Sequence, residues 1–97
     1  MAYYQAAKVD MNQAVIVAEL RQLGYDVDVV SHAHRRGGGG YDLVVSAHGY
    51  GLRVEVKRPG EGLNDNEQTY WDEQRHPENL IIARCAEDIL NWFSERV

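Results

Sequence analysis

Residues 41–58 read YDLVVSAHGYGLRVEVKR, and the reading of this stretch decides the fold. Two β-type runs, 41–46 and 52–57, flank a polar turn that carries glycine, which is the pattern of a β-hairpin. With the turn centred on His48-Gly49, antiparallel register sets Asp42 directly opposite Glu55. Opposed residues share one face of the sheet, with Cβ atoms roughly 4.5–5.5 Å apart. Two carboxylates at that separation repel each other unless a cation sits between them. Alternation puts Lys57 on the face of Glu55, while Val54 and Val56 point the other way. Two hard-oxygen ligands and an ammonium on a rigid surface backed by valines suit a divalent metal acting on a phosphodiester. The alternative is a cross-strand salt-bridge group on an ordinary surface.

The chain has 97 residues, enough for one domain, 1–97, with residues 1–9 as an N-terminal arm. A chain this short buries only about 60–65% of its unfolded surface. Its 44% hydrophobic content and six tyrosines leave apolar surface for a homodimer. Cys85 is the only cysteine, so no internal disulfide forms and a reducing compartment is expected. No apolar run approaches the ~20 residues of a membrane span, and no signal pattern opens the chain. These features lead us to expect a soluble, cytoplasmic protein without membrane contact.

The formal net charge is −5, which by itself argues against a nucleic-acid partner. Its distribution argues the other way. Between His32 and Arg58, five Lys/Arg and three His face only two acids, and those acids are Asp42 and Glu55. From Pro59 onward nine acids face three arginines. Local field, more than total charge, decides where a phosphate backbone lands. Arg35, Arg36, Arg53 and Arg58 are therefore candidate nucleic-acid contacts. The glycine run of HRRGGGG (34–40) lacks the Lys-Ser/Thr of a phosphate-binding loop, so no nucleotide cofactor is expected. That loop is either a backbone that hugs nucleic acid or a linker between strands.

Outside the hairpin, Asp10 is positioned to cap a helix over 11–23, with Met11, Ala14, Val15, Ala18 and either Val17 or Leu20 on its apolar stripe and Gly24 ending it. YDVDVV (25–30) alternates as a half-buried strand. Asn64 and Glu67 form a capping-box pattern opening a second helix that runs to about His76. NLIIARC (79–85) reads as a buried strand, and 87–97 as a last helix. The expected order is α-β-β-β-α-β-α.

G-G-Y-D-L, then E-V-K-R-P-G, then a glutamine on a helix resembles the VRR-NUC (virus-type replication-repair nuclease) family. That family belongs to the PD-(D/E)XK nuclease superfamily. The resemblance implies an α/β, restriction-endonuclease-like core with a mixed central sheet flanked by helices. It makes Asp42 the central metal ligand, Glu55 the second carboxylate and the Val56 carbonyl a further ligand. Lys57 would orient the attacking water and stabilise phosphate charge, and Gln68 would help position the lysine or substrate. The family often carries a glutamate on the first helix. Gln13 is the best-placed residue here, a neutral group that could ligate through its carbonyl or hold a metal-bound water.

The implied cofactor is Mg²⁺, with Mn²⁺ as substitute. Mg²⁺ takes one or two protein carboxylates and keeps several waters, and a divalent metal activates water and polarises the phosphodiester. The histidines, with Cys85 isolated, match no zinc spacing. The expected function is a metal-dependent, structure-specific DNA endonuclease. Branched DNA such as a Holliday junction is the expected substrate, in replication, repair or recombination, including phage contexts. The alternatives are a flap or single-strand repair nuclease, a non-catalytic nucleic-acid-binding module of the same fold, or a small interaction protein.

Overall fold

Four strands and three helices make up the fold in a computed structural model. It describes residues 2–30 and 40–97, the segment 2–10 by its backbone alone. In chain order the elements are α1 (Ala2–Gln22), β1 (Asp26–Val29), β2 (Leu43–Ala47), β3 (Tyr50–Val56), α2 (Asp65–Asp72), β4 (Leu80–Ala83) and α3 (Ala86–Ser94). A short 3-10 turn, Pro77–Asn79, leads into β4. This is an α/β fold with the element order expected from the sequence.

The hairpin closes through a two-residue turn. His48 and Gly49 both have positive φ, 53° and 83°. Such a turn matches the right-handed twist of the flanking strands. It fixes the register: Leu43 pairs with Val54 and Val45 with Leu52. β1 joins the free edge of β2 antiparallel, with Val27 opposite Val45. β4 adds to β3 in parallel, with Glu55 opposite Ile82. The result is a mixed sheet of order β1-β2-β3-β4.

One face of the sheet is apolar. Leu43, Val45, Leu52 and Val54 project from it with Val27 and Ala83. They pack against Ile16, Val17 and Leu20 of α1 and against Ala86, Ile89 and Phe93 of α3. Alternation sends Arg53, Glu55 and Lys57 to the opposite face. There α2 crosses the sheet as the connection between the parallel strands β3 and β4.

Three expectations change. Residues 2–9 belong to the backbone of α1, so they form no separate arm, and position 10 lies inside that helix and not at its start. The inward stripe of α1 is Ile16, Val17 and Leu20, whereas Met11 and Val15 are 64% and 53% exposed. Both stripes are apolar at helical spacing, and the core takes the one with the larger side chains. α2 ends at Asp72, short of His76. Its C-terminal side is drawn off by Arg53, which claims Gln74 and the His76 carbonyl.

Candidate functional site

Asp42 lies one residue before β2. Its amide donates to the Val54 carbonyl at 2.7 Å, and its Oδ2 accepts the Val56 amide at 2.8 Å. The residue is thus tied to both neighbours of Glu55 and held facing it. Asp42 and Glu55 are only 6% and 3% exposed. They sit under α2 on the polar face of the sheet, outside the hydrophobic core.

Lys57 follows β3 directly. Its Nζ is 3.8 Å from Glu55 Oε1 and donates to Glu67 Oε1 at 2.8 Å. Glu67 is buried, the only residue of α2 that is. The same Oε1 also accepts the Asn64 amide at 2.8 Å, while Asn64 Oδ1 accepts the Glu67 amide. One carboxylate oxygen therefore closes the capping box and grips the lysine. The sequence marks Glu67 as a capping residue. Its second role depends on α2 folding back onto β3, which no local pattern encodes.

The electrostatics follow from this crowding. Glu55 is pushed up from its ordinary 4.5 to about 9, first by burial and then by the charges of Asp42 and Glu67, with which it is also hydrogen-bonded. Burial also works against the charge on Glu67. The Lys57 ammonium and the Asn64 amide outweigh it and hold Glu67 below the usual carboxylate range. Lys57 likewise loses to burial and gains more from Glu67, so its pKa ends above the usual value.

The remaining candidates are distributed differently. Val56 lies between Glu55 and Lys57, its amide on Asp42 and its side chain half-buried. Gln68 is exposed and its Nε2 donates to Asp72 Oδ1 at 2.9 Å, so Glu67 is the α2 residue that meets the lysine. Gln13 is half-buried and lines a groove of about 390 Å³ with Ala14, Val17, Ala18, Arg21 and Val29, away from the acids.

Arg53 is engaged within the chain. Its Nη1 donates to Tyr70 Oη at 3.1 Å and to Gln74 Oε1 at 2.6 Å. Its Nη2 donates to the His76 carbonyl at 3.0 Å and to Asn79 Oδ1 at 2.8 Å. The guanidinium also lies 5.9 Å from the Tyr41 ring centre. With these donors engaged inside the chain, Arg53 anchors α2. Arg58 is exposed and remains available beside Glu61, its Nε 3.7 Å away. Arg35 and Arg36 lie outside the described residues.

Mg²⁺ binds through one or two carboxylates and water. Asp42 and Glu55 match that donor set, and a divalent cation would offset the burial and the neighbouring charges that raise the Glu55 pKa. Among the described residues no three His, Cys, Asp or Glu side chains gather into a closed metal cage. A donor set of two acids leaves the remaining coordination positions of such a cation to water. Among the described residues no helix is long and apolar enough to cross a membrane. Compared with family models, curated proteins and solved structures, the chain finds no match in any of the three.

Proposed function

We propose that this chain is a metal-dependent DNA endonuclease with a PD-(D/E)XK core of the VRR-NUC type, acting on branched DNA. The observation that carries the reading is the buried pair Asp42 and Glu55, tied across one hairpin, with the Lys57 ammonium 3.8 Å from the second acid. The element order α-β-β-β-α-β-α and the mixed sheet are those the resemblance implies. Asp42 and Glu55 would hold Mg²⁺ or Mn²⁺, with the Val56 carbonyl as the further ligand the resemblance implies. The metal supplies Lewis-acid activation of water and of the phosphodiester. Lys57 offers a compact point charge to a non-bridging oxygen. Glu67 holds that ammonium beside the acids, in the place expected of Gln68. Arg58, and Arg35 and Arg36, receive the flanking phosphates. A second copy of the chain would bring a second site to the opposite strand of a junction.

The test is incubation of the purified protein with four-way-junction, flap and linear DNA in Mg²⁺, Mn²⁺ or EDTA. Metal-dependent cleavage that disappears in Lys57→Ala and in Asp42→Ala is expected. Salt-sensitive binding without cleavage in either metal would select the non-catalytic module instead. Absence of both would remove the nucleic-acid reading.

A further inference from the structure

Asp42 and Glu55 are buried to 6% and 3% exposure, and the Lys57 side chain to 12%. A polynucleotide is wide, and acids this deep meet a phosphodiester only if something over them moves. Among the described elements α2 reaches this site, and its Glu67 touches both Glu55 and Lys57.

α2 is joined to the sheet unlike the rest of the fold. α1 and α3 bury apolar stripes in the core, and β3 is hydrogen-bonded along both edges. α2 buries one residue, and that residue is charged. Two polar clasps hold it. At its N-terminal end Lys57 donates to Glu67, and at its C-terminal end Arg53 donates to Tyr70 and Gln74. Between them Trp71 is half-buried, and its indole N–H finds no hydrogen-bond partner among the described residues. An unsatisfied buried donor is a cost of the closed helix that opening relieves. Gly60, at φ 84°, lies in the connection that leads into α2.

We propose that α2 is a hinged cover over the Asp42–Glu55 pair, anchored by Arg53 and latched by Lys57 on Glu67, and that a phosphodiester opens the latch by taking the lysine. The opening belongs to the fold; its trigger rests on the nuclease reading. An anion beside Lys57 competes for the same ammonium that Glu67 holds. Once the latch is released, α2 stays tethered through Arg53 and can close again.

Amide hydrogen exchange at fixed pH tests this, with the β2–β3 hairpin as internal reference. In the free protein the amides of α2 through Gln74 should exchange through a local opening, faster than those of residues 52–56. Glu67→Gln keeps a capping side chain at its position but removes the charge that grips Lys57. It should speed exchange in α2 by about tenfold with the hairpin unchanged, as expected for loss of a charge-assisted bond. Tyr70→Phe with Gln74→Ala, which weakens the other clasp and spares the site, should do the same. Equal protection of α2 and hairpin in the free protein, or variants that accelerate both equally, would overturn the cover. A short duplex DNA with Ca²⁺ is the trigger probe. If it binds by fluorescence anisotropy and α2 exchange changes while the hairpin does not, the latch holds. If it binds and α2 is unaffected, the latch is wrong although nucleic-acid binding stands. If no DNA binds, the nuclease reading and the trigger fall together, and the free-protein comparison still decides the cover.

Discussion

At Glu55, burial and the charges of Asp42 and Glu67 raise the pKa to about 9 from 4.5. Between those two values the folded chain holds a proton that the unfolded chain releases. Stability of the metal-free protein therefore falls as pH rises through this window, by up to about 1.4 kcal/mol per pH unit. Glu55→Gln removes the titration, so in EDTA at pH 8 it should be more stable than the parent by at least about 1 kcal/mol. Denaturant melts at several pH values check this, and an equally steep loss of stability in Glu55→Gln would place the titrating group elsewhere. A bound cation must also displace that proton, so Mn²⁺ affinity should climb with pH up to about the same value, 9.

At the scale of elements, the hairpin carries most of what was legible in advance. A two-residue turn leaves one register, and that register, which pairs Leu43 with Val54, brings Asp42 to Glu55 at its end without any knowledge of the helices. Gly49 adopts φ 83°, and a Cβ there would meet no atom within 4 Å. Gly49→Ala should then cost only the conformational penalty, about 1–2 kcal/mol, read as a shift in the denaturation midpoint. The inner face of α1 was legible only in part: Val17 and Leu20 were on the expected stripe as alternatives, but Met11-Val15 and Ile16-Leu20 present equally apolar spacings and only the sheet distinguishes them. Arg53 looked like a surface arginine because its partners, Tyr70, Gln74, His76 and Asn79, come from a segment well downstream. Glu67 was legible as a cap but not as the lysine's partner, for the same reason: the contact is made by the fold.

For the whole molecule, a net charge of −5 coexists with a basic middle segment. Arg35→Ala and Arg36→Ala should each reduce the slope of log affinity against log salt by about one if they contact phosphates. Arg53→Ala should leave that slope unchanged, because its guanidinium is committed inside the chain. Binding measured across a salt series separates the two cases, and a slope lost on Arg53→Ala would return that residue to the DNA surface. The most direct measurement of the central claim is a calorimetric titration of Mn²⁺ into the protein at pH 8. Binding at the Asp42–Glu55 pair, lost in Asp42→Asn with the fold intact, is the predicted result. Equal binding by parent and variant, or no binding by a folded parent, would contradict it.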